Sequence, residues 1–190
     1  MGTVALTRER DLCVSCEICR AECPTSAIRM EFRSGQFLPV IDGELCIDCG
    51  KCLDLCPGID LDPDGLLVED FSIDRIVGEW RSCYTGFSSD RETRLNSTSG
   101  GIITTMIVEL LKNGLYDYAY VLPFEKFEGK PARLQRSDRV DVRSASKSKY
   151  LPASLYNVVK YLKENPQSNC ILVGTPCLIR GLINTLERND

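Results

Sequence analysis

The sequence predicts an α+β module built around paired cysteine runs, followed by an α/β region with a mostly parallel sheet. Three observations predict it. A run of four cysteines within residues 13–24 recurs within residues 46–57, and cysteine density collapses after residues 62–65. From residue 96 onward, apolar extended stretches alternate with stretches whose apolar residues recur at helical spacing.

The repeat comes first in the chain and carries the chemistry. Cys13, Cys16, Cys19 and Cys23 precede Pro24, and Cys46, Cys49, Cys52 and Cys56 precede Pro57, each in the spacing C-x2-C-x2-C-x3-C-P. This is the run of bacterial ferredoxins that bind 4Fe-4S clusters, in which three thiolates grip one face of a cubane and the fourth reaches the other cluster. The module is therefore read as a two-cluster ferredoxin-like domain with crossed ligation. Cys13, Cys16, Cys19 and Cys56 are expected to hold one cluster, and Cys46, Cys49, Cys52 and Cys23 the other. Pro24 and Pro57 fix the backbone after each fourth cysteine, and Gly50 gives the loop room. Between the runs, Arg33-Ser34-Gly35-Gln36 reads as a turn and residues 37–41 as a short extended segment. That is too little apolar material for an independent core, so clusters must supply the missing stability.

Zinc is the alternative, since a C-x2-C pair is common in zinc sites; three cysteines at consecutive two-residue gaps, twice, are not what such a site needs. A disulfide framework would require an oxidising compartment, and residues 1–8 hold no apolar stretch long enough for a secretory signal, so a cytoplasmic location is expected. The acidic neighbours Glu17, Glu22, Asp48 and Asp54 read as solvated surface charge.

Composition removes several classes of function. A net charge of -4 leaves no basic footprint for nucleic acid. No run reaches the roughly 18 apolar residues of a membrane span. Histidine is absent, which takes away the commonest acid or base near neutral pH and assigns difficult chemistry to cofactors. The domain reading is residues 1–70 for the cluster module, 71–95 for a connector with some structure around Ile73, Ile76 and Trp80, and 96–190 for the α/β region.

Within that region a helix is predicted over residues 101–113, stopped by Gly114, then a strand over 116–122. Residues 153–164 put Leu155, Val158, Val159 and Leu162 on one helical face, and Asn165-Pro166 ends the helix. A short buried strand is predicted over 170–173 and a last helix over 177–187. Cys170, inside the apolar strand, reads as core; Cys83 gives no reading. Two loops are candidate ligand sites. Residues 96–104 place small polar residues and two glycines at a helix start, where free N–H groups can receive a phosphate, although a Ser97 or Ser99 helix cap is the plainer account. Gly174-Thr175-Pro176-Cys177 joins a strand end to a helix, the usual crevice of an open parallel sheet. There Cys177 reads as a packed small residue, with a cluster ligand and a redox thiol as the other readings.

The paired runs together with Ser99-Gly100-Gly101, Ser148-Lys149-Tyr150 and Gly174-Thr175-Pro176-Cys177 resemble the coenzyme F420 hydrogenase/dehydrogenase beta-subunit family over almost the whole chain. The resemblance implies an iron-sulfur flavoprotein oxidoreductase subunit. It would pass electrons between two 4Fe-4S clusters, a bound FAD and a partner such as coenzyme F420, alongside a redox partner protein or catalytic subunit. It also implies that Ser99, Gly100, Gly101 and Thr104 contact the flavin, with Lys149, Thr175, Pro176 and Cys177 near the same crevice. No catalytic side chain is assigned. The alternative is a non-catalytic electron-transfer module docking on a separate enzyme. The family's domain continues beyond residue 190, so the chain is expected to be a fragment, a split subunit or a shortened relative with an exposed apolar sheet edge.

Overall fold

A computed structural model describes residues 2–59, 72–74, 78–124 and 129–188. The expected boundary at residue 70 and the expected structure at Ile76 lie outside the described residues. The cysteine module comprises α1 (Ala5–Glu9), α2 (Ile18–Glu22), β1 (Ile28–Arg33), β2 (Gln36–Ile41) and α3 (Lys51–Asp54). β1 and β2 form an antiparallel hairpin from Ile28 opposite Ile41 to Arg33 opposite Gln36. Its two turn residues, Ser34 and Gly35, have φ of 50° and 84°, the positive values that match the twist of the flanking strands. The two cysteine runs fold alike: α2 starts from Glu17 at φ 61° and α3 from Gly50 at φ 77°. A glycine adopts this conformation freely; Glu17 adopts it under the hold of partners described below.

β3 (Ser72–Asp74) and β4 (Gly78–Trp80) pair antiparallel. They are followed by α4 (Arg91–Asn96), whose start is capped by the Asp90 carboxylate accepting from the Thr93 N–H at 2.9 Å. A 3-10 turn, Ser99–Gly101, leads into α5 (Ile102–Lys112). The rest is β5 (Tyr118–Val121), β6 (Ala132–Arg133), β7 (Gln135–Arg136), β8 (Ala153–Ser154), α6 (Tyr156–Glu164), β9 (Cys170–Leu172) and α7 (Pro176–Glu187).

Where a mostly parallel sheet is expected, the described strands give a mixed one. Central β5 pairs parallel with β9, reached through α6, and antiparallel with β7. Among the described residues no helix intervenes between β5 and β7 to carry the chain back for parallel pairing. β6 and β8 form a separate parallel pair. That pairing is why the helix predicted from residue 153 starts at Tyr156: Ala153 and Ser154 are taken up by β8.

One core joins the cysteine module to the sheet. Cys16, Ile18, Ala21 and Leu55 are buried together with Tyr118, Tyr120, Leu134, Leu155, Val158, Val159, Leu162 and Leu182. The Leu155 N–H donates to the Cys16 carbonyl at 2.9 Å, tying the first cysteine loop to the start of α6. A second cluster gathers Val4, Cys19, Ile28 and Cys56 inside the module, and a third gathers Ile107, Ala119, Val121 and Val142 under α5.

This arrangement corrects the reading of two acidic residues. Glu17 and Glu22 are not solvated surface charges; they are 2% and 3% exposed. Glu17 pairs with Arg20 at 2.9 Å and accepts a hydrogen bond from the Ser154 hydroxyl. Glu22 is held by Lys51 at 2.7 Å and Lys163 at 3.0 Å. Burial works against its charge, and the two ammonium groups overcome it, leaving the carboxyl below its usual range. Asp48 and Asp54 are exposed as expected. Among the described residues no helix is long and apolar enough to cross a membrane.

Candidate cofactor sites

The module encloses two small cavities. One is lined by Cys13, Cys16, Cys19 and Cys56, with Val4, Ile18, Met30 and Pro57 around them. The other is lined by Cys46, Cys49, Cys52 and Cys23, with Ile28, Ile41 and Gly50. Each cavity thus draws three cysteines from one run and the last cysteine of the other. Among the described residues, no three Cys, Asp or Glu side chains gather as a single ion would require.

The two cavities differ in environment. Cys16, Cys19 and Cys56 are buried, whereas Cys49 is exposed. Burial, aided by the neighbouring Cys56 and Cys13, pushes the Cys16 thiol up to about 12, and burial beside Cys16 drives the Cys19 thiol well above its ordinary range. Positive irons would reverse that balance, because metal ligation requires the deprotonated thiolate and releases the proton. In the second cavity the backbone N–H groups of Val4 and Ala27 donate to Cys52 Sγ at 3.4 Å and Cys23 Sγ at 3.3 Å. Hydrogen bonds to cluster sulfurs are among the levers that set reduction potential.

A third cavity, of about 490 Å³, is bounded by β5, the start of α5, residues 142–155 and the loop from β9 into α7. Leu122, Leu134, Val142, Leu155, Leu172 and Leu178 are among its apolar lining residues, and Thr98, Thr104, Ser146, Ser148 and Thr175 among its polar ones. An apolar pocket with a few placed polar groups is the usual form of a cofactor site. Two of its lining residues carry buried polar atoms that have no hydrogen-bond partner among the described residues, Ser97 Oγ and Tyr120 Oη. Lys149, also on the wall, donates to the carbonyls of Ala145, Ser146 and Lys147 and stands 4.5 Å from the centre of the Phe124 ring. Burial holds its ammonium below the usual lysine range. Thr104 Oγ1 and Ser146 Oγ lie 3.2 Å apart, linking α5 to the opposite wall, and Thr175 Oγ1 lies 3.1 Å from Cys177 Sγ.

Of the residues that the family resemblance implies for the flavin, Thr104, Lys149, Thr175 and Cys177 line this cavity, and Ser99, Gly100, Gly101 and Pro176 do not. The glycines have another reason to be there. Gly100 and Gly101 have φ of 69° and 77°; a Cβ on Gly100 would sit 2.8 Å from Phe87 Cβ, and one on Gly101 3.1 Å from the Thr93 carbonyl. They make the tight turn that packs α5 against the segment before it. Ser97 and Thr98 reach the cavity in their place. Neither Ser97 nor Ser99 caps the helix through its side chain, so the capping account fails, and that account is what hides Ser97 as a lining residue. Tyr120 is hidden because its apolar strand reads as core alone. Cys170 packs against the shared core and Cys83 is exposed.

Residues 12–58 match the family model of the 4Fe-4S dicluster domain, and residues 83–160 match that of the coenzyme F420 hydrogenase/dehydrogenase, beta subunit N-term. An uncharacterized protein of Methanocaldococcus jannaschii is 24% identical over 204 residues, covering 94% of this chain and 54% of its own. A coenzyme F420-dependent sulfite reductase of the same organism is 26% identical over 171 residues, covering 90% of this chain and 24% of its own. A component of an ion-translocating oxidoreductase complex from Methanosarcina acetivorans is 44% identical over 45 residues, covering 24% of this chain and 16% of its own. The chain therefore spans about half the length of the first relative and about a quarter of the second.

Proposed function

From a chain in which a 4Fe-4S dicluster domain precedes a coenzyme F420 hydrogenase/dehydrogenase beta-subunit N-terminal region, we propose a relay that moves single electrons through two 4Fe-4S clusters to or from a flavin, FAD, in the large cavity. Cys13, Cys16, Cys19 and Cys56 hold one cluster and Cys46, Cys49, Cys52 and Cys23 the other. The observation that carries the reading is a mostly apolar cavity with a few hydroxyl-bearing residues and Lys149 on its wall, built against a cavity ringed by four cysteines.

A bound flavin supplies the exchange between one-electron and two-electron steps. The chain's own residues bind and orient it. The leucine-rich wall excludes water from the ring system, Thr98 before α5 offers a hydroxyl where a helix start favours phosphate, and Lys149 presents a positive charge fixed by three carbonyls. The two-electron partner is coenzyme F420 or a molecule of that kind, a reading supported by the name of the sulfite reductase relative. A redox protein or catalytic subunit completes the pathway. The match of the dicluster stretch alone to a component of an ion-translocating complex favours a second reading, a relay module without flavin chemistry of its own.

The experiment is iron, sulfide, zinc and flavin analysis after anaerobic purification and incubation with FAD. About eight irons with bound flavin are expected from two cubane clusters. Full iron without flavin favours the second reading, and stoichiometric zinc with no iron after reconstitution ends both. Ser97→Asp, which places a negative charge on the cavity wall, should lose the flavin and keep the iron. Unchanged flavin retention would reject this cavity as the flavin site.

A further inference from the structure

The two cysteine sites face the rest of the molecule differently. Val14, between Cys13 and Cys16, lines both the first cysteine cavity and the large cavity. No residue that lines the second cysteine cavity lines the large one. Cys16 is packed in the same core as Tyr120, Leu134 and Leu155, all three on the large cavity's wall. The second site turns outward instead. Cys49 is exposed, and the flanking Leu45 and Ile47 are 50% and 64% exposed. Between the two sites lie Val4 and Ile28, packed with Cys19 and Cys56 of the first set and Cys23 and Cys52 of the second.

We infer that the relay has a fixed order: the cluster of Cys46, Cys49, Cys52 and Cys23 is the port for an external one-electron protein carrier, and the cluster of Cys13, Cys16, Cys19 and Cys56 is the inner one, exchanging with the flavin across Val14. This order rests on the proposed function above. Electron transfer slackens steeply with distance, so the cluster that shares a wall with the cavity carries the exchange with its occupant. The cluster at the surface meets a partner that cannot enter the core. Each electron released by a reduced carrier oxidises that carrier by one, reduces the outer cluster by one, and passes to the inner cluster, restoring the outer. Two such passages and a proton from solvent reduce the flavin by two electrons. The oxidative direction runs through the same stations in reverse. Val14 is a positioning residue, setting the separation between the inner cluster and the cavity.

The test uses the full chain reconstituted with both clusters and FAD. After flash reduction of the flavin, Cys13→Ser should slow electron arrival on the remaining cluster several-fold more than Cys49→Ser does. The reverse pattern, or equal slowing in both, overturns the order. Where either variant fails to assemble, the unmodified protein decides it by electron paramagnetic resonance with a soluble gadolinium chelate. One cluster's spin should relax several-fold faster than the other's, and the cluster that gadolinium reaches should be the one whose signal is insensitive to FAD addition. Equal gadolinium sensitivity of the two clusters, or both effects on the same cluster, overturns the proposal. A chain that holds two clusters and no flavin overturns the flavin reading instead, and gadolinium still discriminates port from inner cluster.

Discussion

At the residue scale, the local and the distant parts of the chemistry separate cleanly. The crossed grouping of eight cysteines around two cavities was legible because it depends on spacing within a dozen residues and on where the last cysteine of each run can reach. Glu17 and Glu22 were not legible, because the partners that bury them lie 137 and 141 residues away. A carboxylate at a loop tip looks solvated until the surface that covers it is known. The Glu17 contact can be tested through its partner. Ser154→Ala removes the hydroxyl that donates to a buried carboxylate, and hydrogen bonds to charged groups contribute about 1.5–3 kcal/mol. Denaturant unfolding of the cluster-loaded protein should show a loss of that order, with iron content unchanged. A loss below a few tenths of a kcal/mol would mean that Arg20 alone satisfies Glu17. Cys56→Ser tests crossed ligation at the same scale: the altered spectrum should belong to the cluster of the first run, which supplies Cys13, Cys16 and Cys19.

At the element scale, the long periodic segments were legible and the short pairings were not. The helices α5, α6 and α7 and the strands β5 and β9 declare themselves by apolar period and by Gly114 or Asn165-Pro166 at their ends. Two-residue strands such as β6 and β8 have no period to read; they exist because their neighbours hold them side by side. The same holds for the closeness of α7 to the cysteine module, where Leu182 shares a core with Ile18 and Leu55 and a glycine stands at the tightest contact. Gly181 is buried in α7, and a Cβ there would lie 2.6 Å from Ile18 Cδ1 and 3.1 Å from Pro57 Cγ. Two effects oppose each other in Gly181→Ala. Helix propensity favours alanine by about 1 kcal/mol, and forcing a methyl into a packed contact costs about 1–3 kcal/mol. Ile18 and Pro57 are themselves fully buried and cannot step aside cheaply, so overpacking should win and the unfolding midpoint should fall. A raised midpoint would show that α7 is free to move away from α2.

At the scale of the whole molecule, the sequence divides the chain near residue 70, and the core does not respect that division. Cys16, Ile18, Ala21 and Leu55 from the cysteine module complete the burial of Leu155, Val158 and Val159 at and along α6. Fully burying a side chain of this size is worth about 1.5–3 kcal/mol, so α6 draws several kcal/mol from residues that hold their positions only while the cysteine loops do. Those loops have little else to hold them: the module's own cluster of buried residues is Val4, Cys19, Ile28 and Cys56, and half of it is cysteine. Metal-dependent folding should therefore extend beyond the ligands. Removing iron by anaerobic chelation should accelerate amide hydrogen exchange not only within residues 13–56 but along Tyr156–Glu164 and Pro176–Glu187, while α5, packed on Ile107, Ala119, Val121 and Val142, keeps more of its protection. Were α6 to stay as protected without iron as with it, the two halves would be independent units, and the position of the inner cluster beside the cavity would owe nothing to the shared core.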